Sequence, residues 1–158
     1  KTITDAEGRV TTYTYDVLNR KESATDDAGN AESWEYNTAG QVKKHVDARS
    51  NITHYEYDAL GNLTRVIDPE NGVTRAEYDE NSNLIKVIDA GSHATTYTYD
   101  LLGRRLTTTL HNGQTWHYDY DANGNKVEEI TPTNERTVWQ YDALNRVTVK
   151  QEFAADNS

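Results

Sequence analysis

A tyrosine followed by aspartate or asparagine recurs every 21 residues along this chain. The pairs are Tyr15-Asp16, Tyr36-Asn37, Tyr57-Asp58, Tyr78-Asp79, Tyr99-Asp100, Tyr120-Asp121 and Tyr141-Asp142, with no insertion between copies. Seven copies in one phase make the chain a tandem array. Units this short cannot enclose a core of their own, so each must lean on its neighbours.

Other columns keep the same register. Two residues upstream of each tyrosine stand Tyr13, Trp34, Tyr55, Ala76, Tyr97, Tyr118 and Trp139, aromatic in six of seven copies. In Thr11-Thr12-Tyr13-Thr14-Tyr15, Trp34-Glu35-Tyr36, Tyr55-Glu56-Tyr57 and Tyr118-Asp119-Tyr120, rings and polar residues alternate. A period of two places both rings on one face of a strand and the residue between them on the other. A second segment, such as Leu63-Thr64-Arg65-Val66-Ile67 or Leu84-Ile85-Lys86-Val87-Ile88, also draws on strand-favouring residues. Its first copy, Lys21-Glu22-Ser23-Ala24-Thr25, is almost entirely polar.

Turn-like clusters separate the segments. One follows each tyrosine pair, as in Leu60-Gly61-Asn62, Asn81-Ser82-Asn83 and Leu144-Asn145-Arg146. The other comes about ten residues later, as in Asp26-Asp27-Ala28-Gly29-Asn30, Asp68-Pro69-Glu70-Asn71-Gly72 and Thr131-Pro132-Thr133-Asn134. Gly and Asn tolerate the positive φ that tight turns demand. The pattern therefore predicts an all-β chain: a single array over residues 1–158 of about seven tandem antiparallel β-hairpin repeats. Twist would curve or spiral such a sheet.

Composition narrows the partners. A net charge of −10 argues against nucleic acid, whose binding relies on excess Lys and Arg, and against an anionic membrane surface. No apolar run approaches the roughly 20 residues of a membrane span, so no membrane insertion is expected. Zero cysteine excludes disulfides and thiolate metal sites. Hydrophobic residues make up 35% of the chain, with 11 Tyr and 3 Trp but one Phe. Rings with polar tips suit half-exposed sheet faces better than a dry core. The chain opens Lys1-Thr2-Ile3-Thr4 and reads as a piece of a longer protein.

Residues fit for chemistry are plentiful but lack catalytic spacing. His45, His54, His93, His111 and His117 occupy four repeat columns, with no His-x-x-x-His pair. No nucleophile elbow or phosphate loop is present. Asp121-Ala122-Asn123-Gly124-Asn125 lacks the spaced acids and closing Glu of an EF-hand loop. The expectation is therefore no enzyme activity, no catalytic residue, no resident metal and no cofactor. Asp16, Asp58, Asp79, Asp100, Asp121 and Asp142 are expected to bond turn amides. The aromatic ladder of Tyr13, Trp34, Tyr55, Tyr97, Tyr118 and Trp139 admits two readings: mutual packing of a sheet face, or a stacking platform for a glycan. Trp116 stands where most repeats carry Thr and is a candidate for a private contact.

The core Tyr-Asp-x-x-Gly-Asn/Arg, an apolar strand, Asp-x-x-Gly and Thr-x-Tyr-x-Tyr-Asp resembles the RHS-repeat, or YD-repeat, family. Tyr57-Asp58-Ala59-Leu60-Gly61-Asn62-Leu63 and Tyr99-Asp100-Leu101-Leu102-Gly103-Arg104 carry the likeness most fully. Members include bacterial RHS polymorphic toxins, the B and C shell components of insecticidal Tc toxins, and teneurins. The resemblance implies a β-strip that forms part of a hollow shell enclosing a cargo polypeptide. It further implies secretion or display at a bacterial cell surface. Partners would be that cargo and the rest of the parent shell, with a glycan- or surface-binding adhesion module as the alternative. The family's toxins end their shells in a self-cleaving Asp-Pro segment; Asp68-Pro69 lies mid-array in an ordinary turn column, so autoproteolysis and toxin activity are not carried over. Exposed edge strands are expected to support self-association through 1–16 or 136–153.

Overall fold

The computed structural model describes residues 1–155. Fifteen strands follow one another: β1 (Thr2–Thr4), β2 (Val10–Tyr15), β3 (Lys21–Thr25), β4 (Ala31–Tyr36), β5 (Val42–Val46), β6 (Ile52–Tyr57), β7 (Leu63–Ile67), β8 (Val73–Tyr78), β9 (Leu84–Ile88), β10 (Ala94–Tyr99), β11 (Arg105–Thr109), β12 (Thr115–Tyr120), β13 (Lys126–Ile130), β14 (Arg136–Tyr141) and β15 (Val147–Phe153). They form one antiparallel sheet in chain order. From β2 to β14 each repeat contributes a six-residue aromatic strand and a five-residue second strand. The chain divides into two compact units, Lys1–Arg75 and Ala76–Ser158. The boundary falls inside β8 at Ala76, the one ladder position without a ring.

Both units use the same register. In the first, Tyr13 faces Ala24, Trp34 faces His45 and Tyr55 faces Val66. In the second, Tyr97 faces Thr108, Tyr118 faces Glu129 and Trp139 faces Lys150. Each of these ladders slips by one residue at the motif tyrosine, so that Tyr15 lies opposite Lys21 although Thr14 lies opposite Ser23. The same bulge recurs at Tyr36, Tyr57, Tyr99, Tyr120 and Tyr141. Bulges of this kind strengthen local twist and re-aim a side chain.

All fourteen turns share one hydrogen-bond pattern. The first residue's N–H donates to the fifth residue's carbonyl, and the fourth residue's N–H donates to the first residue's carbonyl, as in Asp58, Gly61 and Asn62. This is a type I turn closed by a residue of positive φ. Gly takes that fourth position in seven turns; Asn19, Ser50, Asn71, Ser82, Ser92, Asn134 and Asn145 take it in the others. Serine there was not expected from turn propensities. In Asp89-Ala90-Gly91-Ser92-His93 the left-handed residue is Ser92 (φ 67°), one place after the glycine. Register overrides residue preference because the first and fifth positions are already fixed by their bonds. Pro69 and Pro132 each stand second in a turn, where a fixed φ near −65° fits.

No described residue is fully buried. Most strand residues are half-buried, with burial alternating along β6 and β12 as the ring pattern predicts.

Candidate functional site

Tyr36, Tyr57, Tyr99, Tyr120 and Tyr141 each tie their hairpin to the one before it. Pairing of β3 with β4 ends at Ser23 opposite Ser33, leaving the Lys21 carbonyl beyond the ladder. The Tyr36 hydroxyl donates to that carbonyl at 2.8 Å. Tyr57 donates likewise to Val42 (2.9 Å), Tyr99 to Leu84 (2.8 Å), Tyr120 to Arg105 (3.0 Å) and Tyr141 to Lys126 (2.8 Å). Donor and acceptor are always fifteen residues apart. Burial of the phenols pushes Tyr57 and Tyr99 above the usual tyrosine value of 10.0.

The residue after each tyrosine builds the turn. Asp58 Oδ1 accepts the N–H groups of Leu60 and Asn62 at 2.9 and 2.8 Å, and its Oδ2 accepts the Asn62 amide at 2.9 Å. Asn37 Oδ1 likewise accepts the N–H groups of Ala39 and Gln41, while its Nδ2 donates to Gln41 Oε1. Where the fifth residue is arginine, the amide is replaced by an ion pair: Arg20 with Asp16, Arg104 with Asp100, Arg146 with Asp142. These bonds lower the carboxyl pKa. For Asp58 the Asn62 side-chain bond leads; for Asp100 the Arg104 backbone bond leads. The fifth residue also reaches the next turn. The Arg104 guanidinium donates to the Asp121 carbonyl at 2.7 Å, and the Gln41 amide to the Gly61 carbonyl at 2.8 Å.

The ladder rings stand with cations between them. Lys21 Nζ lies 3.8 Å from the centroid of Trp34 and 5.9 Å from that of Tyr13. Arg105 sits 5.7 and 5.3 Å from Tyr97 and Tyr118, and Lys126 sits 5.6 and 4.5 Å from Tyr118 and Trp139. Each such contact contributes about 0.5–1 kcal/mol at a solvated site. His45 stacks on Trp34 at 5.2 Å with planes 15° apart. Lys21 and His45 come from β3 and β5, the two strands that flank β4. The Trp34 ring is therefore contacted from both flanking strands. Trp116 lies opposite Thr108, whose hydroxyl oxygen is shielded and has no hydrogen-bond partner among the described residues.

The other face carries direct cross-strand pairs at the position just before the motif tyrosine. Glu35 meets Lys44 at 2.9 Å, Glu56 meets Arg65 at 2.7 Å, and Glu77 meets Lys86 at 3.1 Å. Thr14 bonds Ser23, and Thr98 bonds Thr107, both at 2.7 Å. Asp119 instead faces Glu128, which is bonded by Arg136. Sequence columns did not foretell the interleaved cations, the tyrosine–carbonyl bonds or the contact of His93 with His111 at 4.3 Å. The last two join residues fifteen and eighteen apart, off the 21-residue period.

Charge is divided by location. The strands hold nine acidic residues against ten basic ones, so the net charge of −10 resides in the turns and chain ends. Among the described residues no group of three His, Cys, Asp or Glu is placed to hold a metal ion. The recurring polar groups are engaged in turns, ladders and seams.

The RHS repeat family model matches residues 1–31, 36–73, 78–111 and 102–135. The chain belongs to the RHS repeat family. No curated protein shows significant sequence similarity to this RHS chain. Its fold is shared with solved structures at low identity. One is the TcdB2–TccC3–Cdc42 crystal structure, at 18% identity and TM-score 0.79, over 94% of this chain and 9% of that one. A second is the Photorhabdus luminescens Tc holotoxin pore with a TccC3 substitution, at 19% identity and TM-score 0.76, over 92% and 9%. A third is TcdB2–TccC3, at 17% identity and TM-score 0.77, over 96% and 10%. The RHS chain thus spans about a tenth of the length of these structures.

Proposed function

We propose that this RHS segment is a structural wall element of a shell that encloses and carries a cargo polypeptide, acting by containment and without turnover. The observation that carries the reading is where the recurring chemistry goes. Five motif tyrosines bond a carbonyl of the preceding hairpin, and the motif carboxylates close turns. Membership of the RHS repeat family and the shared fold with Tc toxin structures support the same view. A protein of this kind would work outside the cell or at its surface. The acidic turns suit a cargo with basic character. A glycan-binding ladder is the weaker reading, since Trp34 is contacted from both flanking strands.

The test is limited proteolysis of the full parent protein containing this array. A polypeptide segment that resists protease in the intact protein, and becomes sensitive once the array is unfolded, supports containment. Equal sensitivity in both states contradicts it.

A further inference from the structure

Two grooves in this chain occupy the same place in the repeat, three repeats apart, one in each unit. The first, of about 330 Å³, is lined by Asn51, Ile52, His54, Ile67, Pro69 and Asn71, together with Asp68. The second, of about 370 Å³, is lined by Gln114, Thr115, His117, Ile130, Pro132 and Asn134, with Thr131 in place of the aspartate. The chain's two prolines, and the two histidines that share a column, all fall in these grooves.

Asp68 differs from the other turn aspartates. Its Oδ1 accepts the N–H groups of Glu70 and Gly72 at 3.0 and 2.6 Å, as the turn requires. In the other turns the second carboxylate oxygen is taken by the side chain four residues on, as Asp47 is by Asn51 and Asp26 by Asn30. The residue four on from Asp68 is Gly72, which has no side chain to offer. Among the described residues Asp68 Oδ2 therefore has no partner, and no Lys or Arg lines the groove. The His54 ring and the Asn71 carboxamide also lack hydrogen-bond partners among the described residues.

We propose that the Asp68 groove binds a lysine or arginine side chain of an extended polypeptide. The aliphatic stem lies on Ile52, Ile67 and Pro69, and the cationic head meets Asp68 Oδ2. Glu70 in the same turn adds negative potential, and His54 and Asn71 offer polar contacts to the peptide's backbone amides. The Thr131 groove keeps Ile130 and Pro132, has Thr115 in place of Ile52 and lacks the carboxylate, so it is a partial internal control. This inference does not depend on the shell reading: any basic polypeptide segment meets the requirement.

The test is amide chemical-shift perturbation on the whole chain, using a blocked Gly-Lys-Gly tripeptide and its norleucine analogue as probes. The lysine probe should give saturable shifts at Asn51, His54, Ile67 and Asn71 and not at Gln114, His117 or Asn134. The norleucine probe should give none. Asp68→Asn should weaken binding about five-fold or more. Its fold should survive, because Asn37 closes an equivalent turn. Gly72→Asn, which restores the missing side-chain bond, should weaken binding equally and leaves a second variant if the first fails to fold. Equal shifts in both grooves, no shifts in either, or undiminished binding in a folded variant would overturn the assignment.

Discussion

At the scale of single residues, turn positions divide into those the fold dictates and those it tolerates. Ser50 holds φ at 66°, a left-handed conformation that costs a residue with a Cβ about 1–2 kcal/mol. Part of that is recovered by glycine's greater freedom in the unfolded chain. Ser50→Gly should therefore stabilise the protein by about 0.5–1 kcal/mol in urea unfolding. Gly61 is the converse case, with φ at 91° and the Gln41 amide 3.2 Å from where a Cβ would lie. Gly61→Ala should cost about 1–2 kcal/mol. Equal and opposite failures, with serine preferred at 50 or alanine harmless at 61, would show that the turns are not strained as described.

At the scale of strands, the face opposite the rings is a series of direct pairs, and one pair is discordant. Asp119 faces Glu128, where five other repeats place an acid against a base or two hydroxyls against each other and the last sets Gln140 opposite Val149. Like charges directly opposite destabilise a sheet, and opposite charges contribute roughly 0.2–1 kcal/mol. Asp119→Lys should raise stability by about that amount, read by thermal unfolding; a loss would mean that Arg136 already neutralises Glu128. Strand positions were legible in the sequence because ring and polar residue alternate between Tyr55 and Tyr57 or Tyr118 and Tyr120, and a period of two has one physical meaning. The turns were legible from Gly, Asn and Asp at fixed offsets. Their inner geometry was not: nothing in Gly91-Ser92 says that the serine turns left-handed. The seam was also hidden, since a phenol's partner is a backbone carbonyl, which every residue possesses. Nothing in the sequence marks Lys21, Arg105 and Lys126 as ring partners; the strand register puts them between rings.

At the scale of the molecule, a sheet with no fully buried residue among those described depends on its polar seams more than an enclosed domain does. Ten turn aspartates, among them Asp16, Asp58, Asp79, Asp100 and Asp121, are held below their ordinary value of 3.8 by turn hydrogen bonds and arginine partners. A depressed folded pKa contributes stability that is complete above 3.8 and disappears as pH falls through the lowered values. Melting temperature should accordingly drop on acidification below that point, and a flat profile would contradict the turn chemistry. For Tyr57 and Tyr99 the sign is reversed: their contribution is present below 10.0 and is lost as pH rises through the raised values.

The coupling of one hairpin to the next is best judged by removing single hydroxyls. Tyr57 donates to the Val42 carbonyl, whereas the Tyr15 hydroxyl has no hydrogen-bond partner among the described residues. Urea unfolding of Tyr57→Phe should show a loss of about 1 kcal/mol, and Tyr15→Phe should leave stability within error of the parent. Equal effects at the two sites, or none at Tyr57, would mean that the tyrosine seam does not hold the repeats together.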